Sequence, residues 1–138
     1  VQDPGLSRLV LEDGQDRTAV RWACDLPCAV KSTLDDPMNA AYSDRWQMYF
    51  YVPRGTAVLG LFGGEHGAVC DSAGRPVLKL DGREPNYYSV AVPDGEAGRF
   101  WSVRQGRGAV RLLTVPPYFA LTPAALLLPK EVVEKDSR

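Results

Sequence analysis

The chain is short of the side chains on which most metal and acid–base chemistry draws: 138 residues hold one histidine, three cysteines and two methionines. Structural zinc wants four ligands at close spacing, and Cys24-Asp25-Leu26-Pro27-Cys28 with Cys70 far downstream does not supply them. His66, in Gly63-Gly64-Glu65-His66-Gly67, has neither a ligand neighbour at metal spacing nor a nucleophile motif beside it. A net charge of −1 lacks the basic excess of a phosphate-backbone binder, so nucleic acid is not an expected partner. No apolar run approaches the roughly 18 residues of a membrane-spanning helix. Val1-Gln2-Asp3-Pro4-Gly5 does not read as a secretory leader. The glycine-rich stretches 60–64 and 104–108 fit neither a P-loop nor a dinucleotide fingerprint, because no helical pattern follows either.

Turn chemistry is what the sequence has in quantity. Thirteen glycines and eleven prolines accompany a composition that is 45% hydrophobic, too apolar for a disordered chain. They separate strand-like runs at 17–23, 28–31, 46–52, 57–62, 68–70, 76–80, 87–92, 99–104 and 109–115, a spacing of roughly 8–12 residues that suits a sandwich or barrel. The clearest run is 46–52, where Trp46, Met48, Phe50 and Val52 share one face and Gln47, Tyr49 and Tyr51 the other. The run 57–62 is apolar on both faces, as a central strand would be. Pro53-Arg54-Gly55, Asp71-Ser72-Ala73-Gly74-Arg75, Asp81-Gly82, Pro93-Asp94-Gly95 and Gly106-Arg107-Gly108 read as turns.

One helical segment is expected at 122–128, with Thr122 as N-cap and Pro123 in the first turn, stopped by Pro129. The tail 130–138 reads as an edge strand or linker, and 1–16 as an N-terminal arm. No βαβ spacing occurs. The expected fold is thus a single all-β domain over 1–138: an antiparallel, jelly-roll-like β-sandwich with one short C-terminal helix.

Aromatic residues and arginines carry most of the functional signal. Trp22, Trp46, Phe50 and Phe62 sit among aliphatics and read as core. Tyr49 and Tyr51 share the face opposite Phe50, while Tyr87 and Tyr88, like Phe100 and Trp101, must point to opposite sides of their strands. Flat rings on a sheet face suit carbohydrate, whose apolar C–H patches stack on them; the same rings could instead be cross-strand pairs that stabilise the sheet. Acid-free residues 97–130 hold Arg99, Arg104, Arg107, Arg111 and Lys130, whereas 1–45 carry eight acidic and five basic side chains. Arg104 and Arg107, around Gly106, could present guanidinium groups to a carboxylate or sulfate, or pair within the chain.

The turn acids Asp71, Asp81, Glu84, Asp94 and Glu96 show no pairing for glycoside hydrolysis, and catalytic residues and metal ligands are therefore expected to be absent. No organic cofactor is expected; a structural calcium held by loop oxygens is left open. Cys24 and Cys28 form a disulfide if the protein is exported, leaving Cys70 as a buried thiol; otherwise all three are reduced.

The succession 46–56, ending in Val52-Pro53-Arg54-Gly55, then the hairpin Asp71-Ser72-Ala73-Gly74, then Val92-Pro93-Asp94-Gly95, resembles accessory β-sandwich domains of secreted bacterial enzymes, in the carbohydrate-binding-module and galactose-binding-like group. The likeness covers about residues 46–115. It implies an extracellular, non-catalytic module that binds polysaccharide or oligosaccharide and accompanies the catalytic domain of its own polypeptide, a glycoside hydrolase or lyase. Tyr49, Tyr51, Tyr87, Trp101, Arg104 and Arg107 are the expected ligand-binding residues. The competing expectations are a structural domain that packs against its own catalytic domain, and a small enzyme built around His66.

Overall fold

The computed structural model describes residues 7–12, 14, 26–38, 45–82 and 84–138; the expected strand 17–23 with Trp22, and Cys24 with its proposed partnership to Cys28, lie outside the described residues. Among the described residues nine strands follow in order: β1 (Val30–Lys31), β2 (Trp46–Val52), β3 (Val58–Gly63), β4 (His66–Cys70), β5 (Pro76–Leu80), β6 (Asn86–Ala91), β7 (Arg99–Arg107), β8 (Val110–Leu112) and β9 (Tyr118–Phe119). A 3₁₀ turn at Pro123–Ala125 and one helix, α1 (Lys130–Asp136), complete the described elements. All strand pairings are antiparallel, in a four-stranded sheet ordered β2-β7-β4-β5, a three-stranded sheet ordered β6-β3-β8 and the short pair β1-β9. The fold is an all-β sandwich whose sheets are not closed.

Strand parity builds the core. Met48, Phe50 and Val52 of β2 turn inward with Trp101 and Val103 of β7, Val69 of β4 and Leu80 of β5. Leu59 and Leu61 of β3 and Val110 and Leu112 of β8 join them from the other sheet. Each such large side chain contributes about 1.5–3 kcal/mol by leaving water. Phe119 of β9 stands edge-on to both Trp46 and Phe50, at ring-centroid distances of 5.9 and 5.7 Å, and so closes the core beside β2. The free edge of β2 is covered too: Tyr49 and Ala120 exchange backbone hydrogen bonds of 2.8 and 2.9 Å.

The turns behave as their residues dictate. Thr56 N–H donates to Pro53 O, Gly74 N–H to Asp71 O, and Glu96 N–H to Pro93 O. At Gly106 the requirement is space: a Cβ there would lie 2.5 Å from the Trp46 ring, which lies against this backbone and donates Nε1–H to Gly108 O at 3.1 Å. That contact draws β7 on through Arg107, past the turn expected at 106–108.

Three expectations need correction. The tail 130–138 is neither strand nor linker over 130–136 but α1, with Pro129 as its N-cap residue rather than the end of a helix. The helix expected at 122–128 shortens to the 3₁₀ turn, although Thr122 does cap it by accepting from Ala125 N–H at 3.3 Å. Phe62 is not core: on β3 the inward positions are Leu59 and Leu61, and Phe62 lies half-exposed on the outer side. Trp46 is only partly buried, packed against the core.

Candidate functional site

The side of the four-stranded sheet turned away from the core carries Tyr49 and Tyr51 from β2, Phe100, Ser102 and Arg104 from β7, and Ala68 and Cys70 from β4, with Ser102 and Cys70 themselves buried; register pairs Tyr49 with Ser102 and Tyr51 with Phe100. Tyr49 and Phe100 are therefore diagonal neighbours, close enough to share one patch. Between them opens a depression of about 370 Å³, lined by Tyr49, Ser72, Gly98, Arg99, Phe100 and Pro123.

The hairpin that supplies Ser72 is rigid. Asp71, 4% exposed, accepts from the backbone N–H groups of Ala73 and Arg75 through Oδ1 and from Arg75 Nε through Oδ2 at 2.7 Å. Burial alone would raise this carboxyl, but those backbone donors and the Arg75 guanidinium outweigh it and hold it below the usual carboxylate range. Glu96 ties the hairpin to the next loop by accepting from Ser72 N–H at 3.0 Å and lying 3.7 Å from Arg75. Beneath the turn, Gly74 has φ 79° and its missing side chain makes room for Arg104, whose Nη2 would lie 2.8 Å from a Cβ there.

Tyr51 is engaged differently. Its ring leans on Phe100 at 5.1 Å, and its hydroxyl donates to Asp136 Oδ2 of α1 at 2.8 Å. The same oxygen accepts from Arg54 N–H at 2.9 Å. Burial, with the hydrogen bond and negative charge of Asp136, pushes the Tyr51 phenol up to about 12. The short tail helix is thereby fastened to the outer face of β2.

The six expected binding residues do not form one site. Tyr49 lines the depression, and Tyr51 stands beside it with its hydroxyl committed to Asp136. Trp101, expected to offer a stacking ring, is fully buried and its indole N–H donates to Glu96 O at 3.2 Å; no surface remains for a ligand. Its neighbour Phe100 holds the outward position instead. The alternation had shown this, because Phe100 shares parity with the polar Ser102 and Arg104, while Trp101 shares it with Val103. Arg104 is half-buried, with Nε donating to Ser102 Oγ at 3.3 Å. Arg107 is exposed at the far end of β7, 3.8 Å from Glu65, so the two arginines do not flank a turn together. Tyr87 belongs to the other sheet and faces outward on the opposite side of the sandwich. His66, expected in a loop, is an exposed residue of β4 opposite Arg107. Cys70 is buried, and burial pushes its thiol up.

Among the described residues no three of His, Cys, Asp and Glu gather closely enough to hold a metal ion, and no helix is long and apolar enough to cross a membrane. Comparison with known proteins gives no matching family, no matching curated protein and no matching solved structure.

Proposed function

We propose that this domain is a non-catalytic carbohydrate-binding module whose sugar sits in the depression between Tyr49 and Phe100. The observation that carries the reading is this aromatic floor beside a hairpin held rigid by Asp71, which gives a preformed surface rather than one assembled on binding. About 370 Å³ lies at the small end of the roughly 300–1,000 Å³ typical of small-molecule sites, enough for one or two sugar rings. Ser72 and Arg99 provide polar partners for hydroxyls at the rim. The lining holds no carboxylate, imidazole or thiol, so it offers binding groups and no acid–base pair. Attachment to a hydrolase or lyase, and export from the cell, belong to the same reading.

Affinity electrophoresis through gels containing neutral polysaccharides tests it, with a glycan array to identify the sugar. The wild-type domain is retarded; Tyr49→Ala and Phe100→Ala abolish retardation while thermal unfolding stays cooperative. Absence of retardation and of array signal for the wild type overturns the proposal.

A further inference from the structure

The opposite face carries a second arrangement that the depression does not use. On the outer side of the three-stranded sheet, Tyr87 of β6, Phe62 of β3 and Arg111 of β8 occupy one cross-strand row, paired in register as Tyr87 with Phe62 and Phe62 with Arg111. The two rings are 4.6 Å apart, and the Arg111 guanidinium carbon lies 5.3 Å from the Phe62 centroid. The rings are tilted by 47° to each other, and the three groups form one row about 10 Å long if each strand step is about 4.8 Å. Tyr87 is 65% exposed and Phe62 half-exposed.

Among the described residues Arg111 has no carboxylate within 4 Å and makes no side-chain hydrogen bond; Arg54 shares that condition, but Arg111 alone of the described arginines is placed over an aromatic ring. Its guanidinium carbon stands over the Phe62 ring, which attracts the cation without neutralising it. An apolar strip ending in an unneutralised, oriented cation matches a chain of sugar rings bearing carboxylate or sulfate. The rings accept the C–H faces, and the guanidinium takes the anion through paired N–H donors.

We infer that the Tyr87–Phe62–Arg111 strip is a binding site for an acidic polysaccharide, separate from the Tyr49–Phe100 depression. It stands on its own observations and does not require the depression to bind sugar.

Affinity electrophoresis against polygalacturonate, dextran sulfate and uncharged dextran tests the strip and distinguishes carboxylate from sulfate as its anion. The wild type is retarded by at least one acidic polymer, and more strongly than by dextran. Arg111→Ala and Tyr87→Ala each weaken that retardation about tenfold, whereas Arg107→Ala and Tyr49→Ala leave it unchanged. Arg111→Lys keeps the charge but not the flat fork and recovers only part of the affinity. If the wild type ignores both acidic polymers, or if Arg107→Ala weakens binding as much as Arg111→Ala, the site does not exist and any retardation is general electrostatics. If Tyr87→Ala lowers the melting temperature and leaves retardation intact, the row is a cross-strand support and the inference fails.

Discussion

Tyr51 and Tyr87 are both strand tyrosines turned away from the core, yet they stand in opposite conditions. The hydroxyl of Tyr51 is bonded to a carboxylate brought over it by α1, and its ring rests on Phe100. Tyr87 is 65% exposed, with one neighbouring ring and an arginine beyond it. Parity decides only which side of a sheet a residue faces; what later lies on that side decides whether it is a surface. On the four-stranded sheet the 71–75 hairpin, the loop through Gly98 and the 3₁₀ turn border a depression, and the tail helix reaches Tyr51 beside it. On the three-stranded sheet the described residues leave an open strip.

A substitution that breaks both faces together shows what they share. Trp101 fills the centre of the core behind Phe100, and Trp101→Ala costs about 3–5 kcal/mol, read by denaturant unfolding. A loss under 1 kcal/mol would show that the two sheets do not depend on this ring.

Tyr51→Phe separates the faces. Removing the hydroxyl takes one donor from Asp136, whose Oδ1 is already without a partner, and costs about 1–2 kcal/mol. The phenol ionises near 10 in the unfolded chain and at about 12 in the fold, so its contribution is intact below pH 10 and is lost as pH rises from 10 towards 12. The wild type therefore loses stability over that window and Tyr51→Phe loses less, while binding at the Tyr87 strip is unaffected. Equal alkaline profiles for the two proteins would refute the clamp.

Arg107→Ala is the smallest change. Arg107 and Glu65 are 56% and 46% exposed at 3.8 Å, a pair worth well under about 1 kcal/mol, so neither the melting temperature nor either face responds. A drop of several degrees would mean that this end of β7 bears more of the fold than its exposure suggests.

Much of this architecture was legible from spacing. The alternation in 46–52 and the turn residues at 53–55, 71–75 and 93–95 place β2, the β4–β5 hairpin and the loop before β7 within a residue or two. In 46–52, where one face is polar, the inward side was correctly read, whereas in 99–104 Trp101 was expected at the surface and is buried. Run 57–62 is apolar on both faces, and there the pattern could not tell that Phe62 faces outward and Leu61 inward. The tail was opaque for another reason. Seven helical residues are marginal alone, and α1 is fastened by two long-range hydrogen bonds, from Tyr51 and Arg54 to Asp136, which no local pattern encodes. The depression was half visible: Tyr49 came from parity, but Ser72, Gly98 and Pro123 are brought beside it only by the packing of three separate loops.

Among the described residues, Trp46 and Trp101 give the domain an optical property as well as a core. Trp101 is wholly enclosed, and Trp46 lies over Gly106 with its ring edge-on to Phe119. In a Trp22→Phe background, emission excited at the red edge of the spectrum, beyond tyrosine absorption, comes from these two indoles alone. The signal then follows the packing between the sheets and stays silent when a sugar settles on Tyr49 or Tyr87, so each titration carries its own reading of whether the protein beneath the ligand is still folded.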